Sequence, residues 1–351
     1  MSAPKTGNQW GFGAKVESTY ATINAPGVGD GVLLKEVPNV DVPHWINDGD
    51  RGVTPGGGPR QNVAKSGRWG GYKLVAEGIG AKALAAYSAS VKPQLDPLIL
   101  GSGFVGTGSF TGGQENWLYT PAMQPANTLT SLTSDVNLAG QLYRLYGAYA
   151  DVEIVAAGPV VPLFNFDVVG LMDFVTDAAI PAYTSYPLMT DVPVKADNIV
   201  VTIGSLTGAI VKSFHFKYGR NFKNQRVNMA SGGHAGYTPG YHKPTIEIVI
   251  ERTTTLTGST PWSAATTLNP YRMAEDQNPV IFRMDVGSTQ YRRWSLFSGV
   301  AVAAGAPSPA AQAQLVEVKD TFEGPTATWT LTFEFLASAF GLYDSFAIMY
   351  R

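Results

Sequence analysis

Two stretches set the terms for any fold of this chain: TIEIVIERTTT, from Thr245 to Thr255, and TATWTLTFEF, from Thr326 to Phe335. In the first, Ile246, Ile248 and Ile250 alternate with Glu247, Val249 and Glu251. In the second, Trp329, Leu331, Phe333 and Phe335 alternate with Thr328, Thr330, Thr332 and Glu334. Successive side chains of a strand point to opposite faces, so a period of two held over this length makes a strand with one face in a core and one in water. Similar runs are VLLKEVPNV, LYRLYGAYADVEIV, PLFNFDVVG, NIVVTIG, AIVKSFHFKYG, VIFRMDVG, YRRWSLFSGVAV and LVEVKDTF, and 39 glycines and 23 prolines punctuate the chain between them. Connections this short cannot make parallel crossovers, so the strands are expected to pair antiparallel. The expected class is all-β, with sandwich or barrel lobes and one or two flanking helices. Those helices are an alanine-rich segment from Ile79 to Val91, stopped before Pro93, and PYRMAEDQ, with Pro270 at a first helical position after Asn269.

The order of features repeats. A helix near residue 80 precedes QLYRLYGAYADVEIVAAGPVVPLFNFDVVG, and a helix near 272 precedes QYRRWSLFSGVAV and then LVEVKDTFEGPTATWTLTFEF. Each half runs from an aromatic-basic strand to a hydrophobic-acidic strand, a Gly-Pro turn and an aromatic alternating strand. The expected organisation is an N-terminal arm over residues 1–30, a first β-sandwich lobe over 31–190 and a related second lobe over 191–351, divided near Pro187 to Val194. At 351 residues either one large all-β unit or two domains can bury a sizeable core. Charged residues are only 15% of the chain against 44% hydrophobic, which suits a protein that covers much of its surface with copies of itself.

Chemistry is sparse. WGFGAKVESTYATINAPG, Trp10 to Gly27, looks at first like a phosphate loop, but Gly11, Gly13 and Lys15 are too closely spaced and Val16 follows the lysine where a hydroxyl belongs. There is no cysteine, so thiolate catalysis, disulfides and zinc–cysteine sites are excluded. Of the four histidines, His234 and His242 are eight apart, outside zinc-ligand spacing; His215 reads as a polar-face strand residue; and His44 has no assignable role. No G-x-S-x-G elbow occurs, and Glu275–Asp276 reads as helix-surface charge. No catalytic residue, cofactor or metal is therefore expected. A formal charge of -2 gives no basic footprint for gripping nucleic acid. YRRW, GRW and KYGRNFKNQR are scattered and balanced by acids. No apolar h-region opens the chain and no run reaches the ~18 apolar residues of a membrane span, so a soluble compartment and no membrane partner are expected.

In this order, WGFGAKVESTYATINAPG, EVPNVDVPHW, WGGYKLVAEGIGAKALAAYSAS, DPLILGSGF and LTSDVNLAGQLYRLYGAYADVEIVAAG resemble the tail tube proteins of long-tailed bacteriophages. The match covers most of residues 10–170 and is looser to 337, and it lies in the order of weak motifs. Ala21 stands where the family usually has glycine. The resemblance implies lobes whose inner sheets join edge to edge into a ring, and rings that stack into a hollow tube. Self-association is then trimeric with pseudo-sixfold symmetry if the chain is duplicated, hexameric if not. Other implied partners are the tape measure, terminator and baseplate or tip proteins, with DNA passing without specific binding, in a virion tail assembled in the host cytoplasm. It also implies an arm that contacts the next ring, through Trp10, Phe12, Lys15 and Tyr20, and a lumen wall containing acids such as Asp151, Glu153, Glu317, Asp320 and Glu334. The rival expectations are another virion structural protein, a secreted carbohydrate-binding sandwich and an outer-membrane barrel.

Overall fold

The computed structural model describes residues 10–47, 65–78, 86–110, 115–122, 129–158, 161–183, 199–207, 209–220, 224–226, 236–238, 242–252, 269–287, 290–291, 293–303, 306–323, 325–339 and 344–351. Its regular structure is nearly all strand, with two short helices, and every named strand pair is antiparallel. The division expected near Pro187 to Val194 lies outside the described residues.

One long sheet carries the fold. Its order is Asn39–Asn47, Lys65–Glu77, Leu163–Met172, Gln141–Ala157, Val211–Lys217, Thr245–Glu251, Thr326–Phe335 and Ala311–Glu323. The first four strands come from the first half of the sequence and the last four from the second. Both quartets share one plan: two strands from the start of the half, then the later hairpin with its second strand placed inside. The plan extends beyond the quartets. Trp10–Val16 pairs with Leu132–Leu138, which pairs with the leading half of Gln141–Ala157; Ile199–Ile203 pairs with Val280–Val286, which pairs with the leading end of Ala311–Glu323. A short helix precedes the middle strand of each trio, Asp96–Gly101 in one and Pro270–Asp276 in the other.

Alternation places the faces as the sequence implies. Along Leu163–Met172, Phe164, Phe166, Val168, Gly170 and Met172 are buried, while Leu163, Asn165, Asp167 and Val169 look outward. A second layer covers the buried face, built from Phe104–Ser109, Asn116–Pro121, Phe346–Tyr350, Trp294–Ser298 and Val280–Val286. One core runs through both halves: the Phe346 ring lies 5.7 Å from Phe104, 5.1 Å from Phe216 and 5.8 Å from Phe335. Such offset and edge-on aromatic packing is favourable beyond simple area burial.

Among the described residues, helix stands at one of the two expected places. Pro270–Asp276 is helical, with the Asn269 side chain accepting from the Arg272 N–H as its N-cap. Residues 79–85 lie outside the described residues, and 86–91 are not helical. There Ser88 Oγ accepts from the backbone N–H groups of Ser90 and Val91, a local side-chain bond that competes with helix. The first-half helix comes later, at Asp96–Gly101, with a proline in its first turn.

Trp10–Val16 is not an arm. It is a strand of the sheet, with Phe12 and Ala14 fully buried, because its apolar residues fall on one face of the alternation. The glycines serve close approach instead of reach. A Cβ on Gly11 would meet Ile180 at 2.9 Å, and one on Gly13 would meet the Tyr183 hydroxyl at 2.7 Å. Glu17, just past the strand, is the anchor. Its buried carboxyl group accepts from Ser131 Oγ at 2.6 Å, Thr133 Oγ1 at 2.7 Å, Gly147 N at 2.8 Å and Ala21 N at 3.0 Å.

Ala21 takes a left-handed backbone with φ 56°. That conformation costs an L-residue roughly 1–2 kcal/mol, of which glycine's extra unfolded-state freedom returns part. Ala21→Gly is therefore expected to stabilise the fold by about 0.5 kcal/mol, read as a higher urea midpoint with an unchanged slope. A lower midpoint would mean that the Ala21 methyl, which lies beside Gly147, matters more than the strain.

Candidate functional site

The long sheet has an intramolecular seam and two open ends. At the seam, the trailing half of Gln141–Ala157 pairs with Val211–Lys217, setting Glu153 opposite Lys217, Ile154 opposite Phe216 and Ala156 opposite Phe214. The ladder continues past both ends: Tyr218 N donates to Val152 O and Gly158 N to Lys212 O. Across it, the Glu153 carboxylate lies 3.0 Å from His215 Nε2. Behind it the buried Arg220 donates through Nη1 to Gly103 O at 2.7 Å and to the Tyr218 hydroxyl at 3.0 Å.

At the ends the matching edges have no neighbour among the described residues. Among the described residues, Asn39–Asn47 pairs only with Lys65–Glu77, and the 317–323 part of Ala311–Glu323 pairs only with Thr326–Phe335. An unpaired row of backbone donors and acceptors is a template for another strand. Phe322 stands on that edge with 74% of its surface exposed, and Val316 with 48%. At the place equivalent to Phe322 in the first half, Ala156 is only 7% exposed, because Val211–Lys217 pairs alongside it.

The outward face of the long sheet is rich in acids. Asp151, Glu153, Glu317 and Glu334 all lie on it, with Asp167, Glu247 and Glu251, which the sequence alone does not single out. Lysines partly balance them: Lys319 lies 2.9 Å from Glu317, Lys243 3.0 Å from Glu334 and Lys212 3.0 Å from Glu251. Asp320 is the exception. It sits one residue out of phase, opposite Trp329 on the face that turns toward the core, where Tyr271 Oη donates to it at 2.6 Å and Arg252 pairs with it. Alternation read through LVEVKDTF puts Glu317, Lys319 and Thr321 together on the acid-bearing face and so moves Asp320 off it.

A cavity of about 630 Å³ opens on this face, lined by Glu36, Asn39, Lys73, Asp151, Glu153 and Asp167 among others. Burial pushes the Asp151 carboxyl up to about 6, and the nearby Glu153 and Asp167 charges add to the shift against bonds from backbone N–H groups. The native chain thus binds a proton between about pH 4 and 6 that the unfolded chain has released, so stability falls as pH rises through that window and stays lower above it. Asp151→Asn removes the effect. Two pKa units correspond to about 3 kcal/mol, which solvent at this half-buried site reduces, so a gain of about 1 kcal/mol is expected at pH 7.5. Urea titrations should show that gain vanish below pH 4; a gain independent of pH would contradict it.

The four arm residues have separate places. Phe12 is in the core, Trp10 packs against it, Lys15 lies 3.5 Å from Asp30, and Tyr20, 40% exposed, stacks on Tyr149 at 5.9 Å between ring centroids. Among the described residues no three His, Cys, Asp or Glu side chains converge as a metal site. His44 and His234 have no described side chain. No protein-family model matches the chain, and no curated protein matches its sequence.

Proposed function

We propose that this chain is the tube protein of a long-tailed bacteriophage: its copies close into rings through the open ends of the long sheet, and the rings stack into the hollow tail tube that conducts DNA. The observation that carries this reading is the seam. One edge-to-edge junction already exists inside the chain between two quartets of one plan, and the same two kinds of edge are left open at the ends of the sheet. Joining end to end removes the exposed edges that otherwise invite aggregation. Three chains supply six quartets. With strands about 4.8 Å apart and tilted by about 40°, such a ring has a backbone diameter of roughly 50 Å, which leaves a bore open to duplex DNA.

The acid-bearing face then lines the bore. A wall of net negative character avoids the phosphate contacts that make DNA stick. Tape measure, terminator and baseplate or tip proteins are the remaining partners in this reading, with assembly in the host cytoplasm. The test is a virion whose tubes carry Glu247→Lys and Glu334→Lys, both on that face. Tubes of normal length and slowed genome ejection are expected, with the delay relieved by added salt as screening shortens the reach of the charges. Ejection at the unaltered rate would remove this face from the bore.

A further inference from the structure

Resting on the ring reading, we infer that neighbouring chains join in one register, with Asp41 of one protomer opposite Lys319 of its partner.

The register is set by the ladders. Tyr72 and Ile246 hold equivalent places, since they face Val168 and Phe333, which face Ala150 and Leu315 in turn. Two places along, Leu74 and Ile248 face Phe166 and Leu331, which face Val152 and Val318, so the one-residue bulge after Leu315 is accounted for. Glu153 therefore corresponds to Lys319, Val155 to Thr321 and Ala156 to Phe322. On the opposing strands, Val40 faces Tyr72 as Phe216 faces Ile246, so Asp41 corresponds to Lys217 and Asn39 to His215. The intramolecular seam sets Lys217 against Glu153 and His215 against Val155. Transferred to the open ends, it sets Asp41 against Lys319 and Asn39 against Thr321, and it places Phe322 beneath the partner's edge.

Charge supports the transfer independently. Both seams oppose unlike charges, yet with the signs exchanged: acid on the hairpin strand inside the chain, base on the hairpin strand at the open end. Opposite charges across a strand pair attract and like charges repel. An edge of the first kind meeting the wrong partner would set Asp41 against Glu153, or Lys217 against Lys319.

The chain has no cysteine, so engineered thiols report the register without background. Directly opposed residues in an antiparallel pair have Cα atoms about 4.5–5.5 Å apart, within disulfide range. Assembled Asn39→Cys/Thr321→Cys protein should crosslink between chains on mild oxidation, at least about ten times more than Asn39→Cys/Lys319→Cys. Asp41→Lys alone and Lys319→Asp alone should each raise the concentration needed for assembly about tenfold, and the two together should restore it. Crosslinking in the shifted pair, or single variants that assemble normally, would overturn the register while leaving the ring intact. Unaltered protein that never forms rings would overturn the ring reading and the seam with it.

Discussion

Glu17→Ala is expected to cost about 3–5 kcal/mol, as much as emptying a core position. Four donors converge on the Glu17 carboxyl group, and those of Ser131, Thr133 and Gly147 are buried away from water. Removing the acceptor leaves buried donors unsatisfied, at about 1–3 kcal/mol for each that finds no other partner. Glu17→Gln keeps the volume and one acceptor oxygen but turns an amide N–H₂ toward donors, so about half the loss is expected. Lys15→Ala, two residues away, breaks only a partly exposed ion pair with Asp30 and should cost under about 0.5 kcal/mol. Urea unfolding followed by circular dichroism measures all three. A Glu17→Ala loss no greater than that of Lys15→Ala would mean that Glu17 anchors nothing.

Phe322→Glu should behave in the opposite manner, leaving the single chain unchanged and abolishing its assembly. With 74% of its surface exposed, Phe322 contributes little to the isolated fold, so stability should shift by under about 0.5 kcal/mol. In a ring the same side chain is covered, as its counterpart Ala156 is inside the chain. Burying a phenylalanine there is worth about 1.5–3 kcal/mol per seam, and a charge in its place adds a desolvation penalty. Since each ~1.4 kcal/mol is tenfold in affinity, the concentration required for assembly should rise at least about a hundredfold. Assembly at the unaltered concentration would take Phe322 out of any interface.

The strands were legible because alternation is local: Thr245–Glu251 and Thr326–Phe335 lie where the period of two puts them, with their apolar residues inward. The recurrence was legible only in its hairpins: Gln141–Ala157 with Leu163–Met172 and Ala311–Glu323 with Thr326–Phe335 hold matching places, whereas the aromatic-basic strands do not, since QLYRLYG leads Gln141–Ala157 and Trp294–Ser298 lies in the second layer. Its sharpest expression, the pairing of Gln141–Ala157 with Val211–Lys217, joins strands far apart in the chain and has no sequence periodicity to announce it. Of the expected helix from Ile79 to Val91, residues 79–85 lie outside the described residues and 86–91 are not helical. Alanine content reports helix propensity alone. It is silent on the Ser88 turn and on the pull of the core on Tyr87, whose hydroxyl donates to Tyr291 O. Trp10–Val16 misled because glycines that permit close packing and glycines that permit motion look the same in a sequence. Glu17 was written into the same motif, but its four donors come from residues 21, 131, 133 and 147, and only folding brings them together.

The central claim, that open sheet ends join chain to chain into a ring, is tested most directly by electron microscopy of the purified protein at rising concentration, with end-on views averaged. The account predicts closed hollow rings or stacked tubes showing three chains and six similar lobes around the bore. Particles that remain single chains at every concentration, or that pile into filaments with no central bore, would contradict it.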